Sequence, residues 1–221
     1  YESIIPYLKR HKVDNYDVCY NVLDGASLKE KTSFSCQEVF RIVSVGRLIP
    51  EKNPLPIINA VAKLPNTELT IVGNGLLLEE LRSHVSKLGL DDRILFKPSV
   101  KNNRLCKSLA EFDLFAIYTD YWELNKSLLE ALLTGLPVII NKRLPSPAPE
   151  LENADFLKMV NGDENSYLEA IKSLMDNENM RKQLGRKAYY TALKRWSPEV
   201  TEEKFATIYK RILKQREDIT V

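Results

Sequence analysis

Two cations, Arg47 and Lys52, lie five residues apart in a predicted loop that follows a β-branched run ending at Gly46. Paired cations at the carboxyl end of a strand could clamp a diphosphate, because arginine and lysine both bind phosphate oxygens. Arg and Lys are also the usual residues of a solvated protein surface, and for this loop considered alone a surface role is the more common one. The loop is therefore a candidate anion site only if other residues converge on it.

Glu130 is a carboxylate in the first turn of a predicted helix whose other residues, such as Leu128 and Leu129, are apolar. A carboxylate among such neighbours is costly unless it is hydrogen-bonded. Ser127 and Glu130 have the spacing of a capping box, in which Glu130 accepts a hydrogen bond from the Ser127 backbone N–H. The functional alternative is that Glu130 accepts two hydrogen bonds from a ribose diol. Spacing alone slightly favours the cap, and the two roles are compatible.

The elements that must position these side chains alternate along the chain. Predicted strands cover 41–45, 68–72, 93–96, 113–118, 137–140 and 156–160, and predicted helices cover 55–63, 77–88, 104–111 and 127–134, with two more within 163–194 that start at Asp163 and Asn177, and a last one from Ser197-Pro198. The amino-terminal stretch reads as a helix over 4–12, a strand over 17–22 and a polar loop. Apolar strands separated by helices predict an α/β, Rossmann-like parallel six-stranded sheet with helices on both faces.

In such a sheet, ligands bind beyond the carboxyl ends of the strands, where helix starts favour anions. Gly73-Asn74-Gly75 follows the second strand and allows either close approach to a ligand or a tight turn. It lacks the third glycine of the dinucleotide fingerprint, so it gives only weak support for an NAD site. A polar, aromatic loop at 119–126 precedes the Glu130 helix, and a Pro-rich loop at 145–149 is a candidate wall of the site.

Composition excludes several other classes. The 221 residues carry 32 Lys and Arg against 30 Asp and Glu, so the net charge of +2 does not indicate nucleic-acid binding. Cys19, Cys36 and Cys106 share no metal or redox spacing, and His11 and His84 are too few for a His-rich metal site. No metal site is expected, and a cytoplasmic location is expected, because the cysteine usage suits a reducing compartment and no apolar run reaches the roughly 20 residues of a membrane span.

Taken together, the motifs resemble the carboxyl-terminal domain of family 4 glycosyltransferases, which have the GT-B fold. The resemblance covers roughly residues 38–216 and rests on VGRL at 45–48, EKN at 51–53, IVGNG at 71–75 with Leu81, FDLF at 112–115, SLLEA at 127–131, GLPVI at 135–139, PEL at 149–151 and RWS at 195–197. Each motif alone is weak, but the whole set in the family's order is specific. The fold implied is the carboxyl-terminal half of a GT-B enzyme.

The resemblance also implies roles for individual residues. Arg47 and Lys52 would bind the donor diphosphate, and Glu130 would hold the ribose hydroxyls. The resemblance implies further donor-binding residues. Gly73 and Gly75 would border the nucleotide pocket, Lys97 and Pro98 would lie in a loop against the base, and Gly46, after the first strand, would also contact the donor. The backbone N–H groups of Lys126, Ser127 and Leu128 would face the phosphates.

Two positions depart from the family's pattern. The family has a first glutamate eight positions before the second, whereas this chain has Trp122 there and Glu123 seven positions before Glu130. Glu123 is expected to act as a catalytic residue through a one-residue shift, unless the donor-sugar contact is lost or replaced. Lys97-Pro98 stands where the family often has a glycine. Both departures concern the identity of the donor more than the fold.

The function implied is transfer of a hexose from a UDP- or GDP-linked donor to an acceptor hydroxyl, without a metal or cofactor and with retention of configuration, in cell-surface polysaccharide or glycoconjugate synthesis. The alternatives are a sugar-nucleotide epimerase of the same architecture and a non-catalytic partner subunit that kept the fold. The ordered neighbours across the expected cleft, above all Arg47 and Lys52, favour the ribose role for Glu130.

The expected division of the chain has three parts. Residues 1–37 are a connecting segment from a missing or truncated amino-terminal domain, 38–197 form the nucleotide-sugar-binding domain, and 198–221 form a helix that would pack back on the amino-terminal domain. An acceptor saccharide or lipid-linked saccharide would bind through that amino-terminal domain. Membrane contact, peripheral and at the inner face, would also be made by the missing half.

Overall fold

The protein is described by a computed structural model that covers residues 1–121, 124–143 and 148–219, with side chains described up to residue 215. Its centre is a sheet of six strands, all parallel, in the order β3-β2-β1-β4-β5-β6. The strands are β1 Phe40–Val45, β2 Thr67–Val72, β3 Ile94–Lys97, β4 Leu114–Ile117, β5 Val138–Asn141 and β6 Lys158–Val160. The predicted six-stranded parallel sheet is therefore confirmed.

The central strands are apolar on both faces because helices cover both. Successive residues of β1 point to opposite sides, so Ile42 packs in one core and Val43 in the other, both fully buried. The helices are α1 Ile5–Arg10, α2 Leu55–Ala62, α3 Leu78–Lys87, α4 Asn102–Leu109, α5 Lys126–Thr134, α6 Glu164–Met175, α7 Glu178–Trp196 and α8 Pro198–Ile219. Residues of α4, α5 and α7 build one core, and residues of α2, α3 and α6 build the other.

The direction of chain progress reverses between β1 and β4. From β1 the chain steps outward through β2 to β3, and it then returns to the centre and steps the other way through β4, β5 and β6. The loops after β1 and β4 therefore diverge and leave a crevice at the carboxyl edge of the sheet, which is where open α/β sheets bind ligands. Arg47 and Lys52 follow β1, and the loop that leads to Glu130 follows β4.

The helix starts predicted at Asp163 and Asn177 are confirmed. Each side chain accepts a hydrogen bond from a first-turn backbone N–H, that of Ser166 at 3.0 Å and that of Met180 at 2.9 Å. The strand predicted over 17–22 is wrong, because that stretch has no regular secondary structure. Its alternating pattern has no neighbouring strand with which to form a ladder, and an extended segment needs one to satisfy its backbone groups.

One contact between the segment before β1 and the sheet domain is made by a buried arginine. Arg181 of α7 is 3% exposed and donates to the Phe34 carbonyl through Nε at 3.0 Å and Nη2 at 2.8 Å. Its Nη1 donates to the carbonyls of Leu174 and Met175, at 2.6 and 2.9 Å, which lie at the end of α6. One guanidinium thus joins three parts of the chain. The division into a connecting segment, a sheet domain and a final helix stays a prediction.

Candidate functional site

The loops after β1 and β4 lie against each other at the crevice. The backbone N–H of Asp120 donates to the carbonyl of Glu51 at 2.8 Å. The hydroxyl of Ser127, in the first turn of α5, donates to the carbonyl of Val45 at 3.0 Å, at the last residue of β1. These two hydrogen bonds hold the Arg47–Lys52 loop beside the start of α5.

The Tyr121 ring lies close to both Arg47 and Lys52, the two cations predicted to bind a diphosphate. The Arg47 guanidinium carbon lies 5.5 Å from the centre of the Tyr121 ring, and Lys52 Nζ lies 4.8 Å from it. Both cations are within the distance at which an aromatic face attracts a positive charge. The structure therefore brings Arg47 and Lys52 together as predicted. Tyr121 was not predicted as a site residue, although its place in an aromatic loop after a central strand was a signal for it.

Gly73 and Gly75 allow the loops after β1 and β2 to touch through their backbones. A Cβ atom added to Gly73 would lie 1.9 Å from the Gly46 carbonyl oxygen, and one added to Gly75 would lie 2.3 Å from that of Leu48. Backbone hydrogen bonds join the same loops. The Gly46 N–H donates to the Val72 carbonyl at 3.1 Å, and the Leu48 N–H donates to the Asn74 carbonyl at 2.9 Å. The glycines are thus required by backbone packing, whatever they contribute to a ligand.

The end of β3, where the next loop begins, contacts the loop after β2 through its backbone at the carboxyl edge of the sheet. The Gly73 N–H donates to the Lys97 carbonyl at 3.1 Å, while the Lys97 and Pro98 side chains are exposed. The predicted base-contacting loop therefore lies next to the glycines of the second loop. No contact in the structure tests whether Lys97 and Pro98 touch a base.

The start of α5 offers backbone donors at the crevice. The helix begins at Lys126, after Asn125 as N-cap residue, and the cap makes no side-chain hydrogen bond. The N–H groups of Lys126, Ser127 and Leu128 lie in the first turn, where they have no acceptor within the helix. The Leu128 side chain is buried, so only its backbone can serve a ligand. Such a helix start favours an anion.

The position of Glu130 corrects the capping-box hypothesis. Because α5 begins at Lys126, Glu130 lies in the second turn rather than the first. Its Oε1 accepts a hydrogen bond from Asn102 Nδ2 at 2.8 Å and lies 3.6 Å from Lys126 Nζ. The Ser127 hydroxyl bonds to Val45 instead. The spacing of three residues between Ser127 and Glu130 was compatible with a capping box, but the N-cap residue is Asn125, two residues before Ser127.

Burial sets the ionisation of the Glu130 carboxyl group. The side chain is 2% exposed, and loss of hydration raises its pKa above the ordinary value. The hydrogen bond from Asn102 and the charge of Lys126 oppose this rise. Burial, reinforced by the Glu130 carboxylate, raises the pKa of the nearby Cys106 thiol to about 12, so Cys106 is a neutral thiol here. Nothing in the sequence singled out Asn102 or Cys106 as neighbours of Glu130.

A small pocket opens beside the start of α5. Its walls are mostly apolar side chains, and its polar lining includes Thr119, Asn125, Asn141 and Arg143. Asn125 is 4% exposed, and its Oδ1 has no hydrogen-bond partner among the described residues. Apolar walls with a few convergent polar groups are typical of small-molecule sites.

Part of the candidate site lies outside the described residues. Trp122 and Glu123 belong to that part, so the predicted catalytic role of Glu123 stays a prediction. The Pro145–Pro147 portion of the predicted site wall also lies there. Within the described ranges, no group of three or more His, Cys, Asp or Glu side chains is placed to hold a metal ion. Across those same residues, no helix is both long and apolar enough to cross a membrane.

Comparison with known proteins agrees with this arrangement. The profile of the family described as Glycosyl transferases group 1 matches residues 29–191, which is well over half of the chain. The chain belongs to this family. The match includes β1 to β6 and every described candidate residue from Gly46 to Glu130.

Curated relatives of this glycosyltransferase family member are longer than the chain. The chain is 27% identical over 176 residues to N-acetylgalactosamine-N,N'-diacetylbacillosaminyl-diphospho-undecaprenol 4-alpha-N-acetylgalactosaminyltransferase of Campylobacter jejuni, with 78% of this chain and 47% of the relative covered. It is 26% identical over 165 residues to the lipopolysaccharide core biosynthesis glycosyltransferase LpsE of Rhizobium meliloti, with 74% and 48% covered. The chain therefore spans about half the length of these relatives.

The fold also matches a solved structure. The Anabaena protein HepE, crystallised in complex with UDP and glucose, superposes with a TM-score of 0.77 at 20% identity, over 90% of this chain and 57% of that one. At this identity the likeness shows the fold alone. It confirms that the described sheet and helices have the arrangement found in GT-B glycosyltransferases.

Proposed function

We propose that this chain is the donor-binding part of a glycosyltransferase that moves a sugar from a nucleoside diphosphate sugar to an acceptor hydroxyl in the synthesis of a cell-surface polysaccharide or glycoconjugate. The observation that carries the proposal is the pairing of Arg47 and Lys52 on Tyr121, beside the first turn of α5. Family membership and the polysaccharide-related names of the relatives support it.

The proposed chemistry is assistance to the leaving diphosphate. As the bond between the sugar and the diphosphate breaks, negative charge grows on the phosphate oxygens. Arg47, Lys52 and the backbone N–H groups at the start of α5 are placed to stabilise that charge electrostatically. We propose that these groups serve where other enzymes use a divalent metal, and that the anomeric configuration is retained.

Glu130 would recognise the ribose. An ionised carboxylate accepts hydrogen bonds from two adjacent hydroxyls, and the base would lie toward the loop that holds Lys97 and Pro98. We propose that acceptor recognition, by contrast, lies outside these 221 residues, since the chain spans about half the length of the relatives. The chain alone would then bind donor but transfer sugar poorly or not at all.

Calorimetric titration of the chain with UDP, GDP and their hexose derivatives tests the function. We expect binding of one nucleoside diphosphate, with the free nucleoside bound much more weakly because it lacks the phosphates. Absence of binding to every one of these ligands would contradict the proposal and favour a non-catalytic partner subunit. Full sugar transfer by this chain alone would contradict the division of labour between donor and acceptor halves.

Glu130→Gln is expected to weaken binding of the preferred nucleoside diphosphate by about 10- to 100-fold, because the amide replaces a hydroxyl acceptor with a donor. The same variant should keep or raise the melting temperature at neutral pH. Burial raises the folded-state pKa of Glu130 above its unfolded value, so the ionised carboxylate destabilises the folded protein at pH values above that range. A neutral side chain of equal size removes this cost. Glu80→Gln, on the exposed face of α3, is the matched control.

The pH dependence of nucleotide binding is a second test of the role of Glu130. As pH falls through its raised pKa, the protonated carboxyl loses an acceptor, and affinity should decline more steeply in the wild type than in Glu130→Gln. The groups that face Glu130 are Lys126 on α5 and Asn102 and Cys106 on α4, and burial raises the pKa of the Cys106 thiol, so the thiol stays protonated in the acidic range. Ionisation of the ligand is common to both proteins and cancels. Unchanged affinity with a lower melting temperature would show that Glu130 is structural.

A further inference from the structure

The Glu130 carboxylate has its direct amide partner on a different helix. Asn102, the first residue of α4, donates from Nδ2 to Glu130 Oε1 at 2.8 Å. Glu130 itself is 2% exposed, whereas Asn102 is half-buried at the rim. The hydrogen bond therefore reaches from the surface of α4 to a carboxylate inside the site.

Lys126 determines which way the Asn102 amide points. Lys126 Nζ donates to Asn102 Oδ1 at 3.3 Å, and the same ammonium lies 3.6 Å from Glu130 Oε1. An amide between a cation and an anion has one favourable orientation, with its oxygen toward the ammonium and its N–H groups toward the carboxylate. Lys126 is 45% exposed, so water screens its own attraction to Glu130. The Asn102 amide reaches the buried oxygen at close range, and the Cys106 thiol also donates to the Glu130 carboxylate.

A buried carboxylate that must receive two hydroxyls has two requirements. It has to stay ionised, because a protonated carboxyl has one acceptor fewer, and it has to stay in one rotamer, because both hydroxyls must meet it at once. The Asn102 hydrogen bond meets both. It favours the ionised form, and it fixes Oε1 so that the direction of the other oxygen is set as well.

We propose that Asn102 is a positioning residue for ribose recognition, which acts by holding the Glu130 carboxylate in the orientation and charge state that accept the diol. The proposal rests on the donor-binding function above. Asn102 works through Glu130, so its effect is confined to ligands that carry ribose hydroxyls. The diphosphate groups, which meet Arg47, Lys52 and the start of α5, are outside its reach.

The test is to titrate Asn102→Ala with UDP and with 2′,3′-dideoxy-UDP, or with the corresponding GDP pair if the wild type prefers GDP. We expect affinity for the ribose ligand to fall about tenfold, which corresponds to loss of one hydrogen bond to a charged group. Affinity for the dideoxy ligand should stay within about twofold of the wild type, because that ligand offers Glu130 no hydroxyl. Asn103→Ala, at the next and exposed position of α4, should match the wild type with both ligands.

Asn102→Ser is the second variant, since serine suits the first residue of a helix but is too short to replace the amide at Glu130. Equal loss of both ligands in the two variants, or loss of neither, would overturn the inference while leaving the proposed function intact. In a Glu130→Gln background, the alanine substitution should cause no further loss of affinity for UDP, and an independent loss would also overturn it. A wild-type chain that binds neither UDP nor GDP would overturn the proposed function and this inference together.

Discussion

Replacing both Arg47 and Lys52 with alanine is expected to weaken binding of UDP or GDP by at least about 100-fold, from the loss of two charge-assisted contacts of about 1.5–3 kcal/mol each. Each single variant should lose at least about tenfold. The effect belongs to the phosphates, so affinity for inorganic pyrophosphate should fall in parallel. Titration of the variants with both ligands at fixed ionic strength measures this, because salt screens such contacts.

The stability of the unliganded protein separates this role from a structural one. Arg47 is exposed and Lys52 is half-buried, and the contact of each cation with the Tyr121 ring is worth about 0.5–1 kcal/mol. The melting temperature should therefore change little. The paired control is Arg82→Ala with Lys87→Ala, two exposed cations on α3, which removes the same net charge. Equal loss of nucleotide affinity in the control would show that the effect comes from overall charge. A large drop in the melting temperature of the Arg47 and Lys52 variant would show that these residues are structural.

Arg181→Met should lower the free energy of unfolding by roughly 3–5 kcal/mol, because it removes the donor from two buried carbonyls and one half-buried carbonyl. Methionine fills similar space, so the loss reports the hydrogen bonds rather than a cavity. The carbonyls of Phe34, Leu174 and Met175 belong to two separate stretches of chain, and no single water can replace a planar fork that spans them. Urea unfolding followed by circular dichroism measures the change.

Arg186→Met is the control for this loss, since Arg186 lies on the exposed side of the same helix, α7. It should shift the free energy of unfolding by about 0.5 kcal/mol or less. Arg181→Lys should recover only part of the stability, because one ammonium cannot reach both the Phe34 carbonyl and the end of α6. If the methionine variants at 181 and 186 were equally stable, the packing of the 29–37 segment on the sheet domain would not depend on this guanidinium.

The sheet is predictable from the chain because its signals are local. β1 and β4 are short runs between polar loops, and burial on both faces makes most of their residues apolar, with Arg41 and Ser44 of β1 as exceptions. The stretch 17–22 has a comparable local pattern and is not a strand, because strand formation also needs a neighbour, and the alternation of residues says nothing about one. Pairing is a property of the whole fold.

The candidate site likewise has residues that the sequence predicts and residues that it does not. Arg47, Lys52 and the start of α5 could be predicted because the topology of a parallel sheet brings strand ends to one edge. Asn102 could not, since its contact with Glu130 depends on how α4 lies against α5, at a separation of 28 residues. The capping hypothesis failed for a smaller reason: the N-cap of α5 is Asn125 and not Ser127, a shift of two residues that moves Glu130 into the second turn.

The close contact between the glycine-bearing loops has an evolutionary consequence. The shape of this edge is set by main-chain atoms, with the Gly73 and Gly75 positions seated on the carbonyls of Gly46 and Leu48. The exposed Leu76 side chain, next to these anchors, takes no part in that frame, whereas the Asn74 side chain accepts a hydrogen bond from the Gly75 N–H at 3.1 Å. A position such as that of Leu76 is free to diverge among related chains without moving the loops. We expect differences in ligand preference between relatives to accumulate at such positions, while the glycines beneath them stay the same.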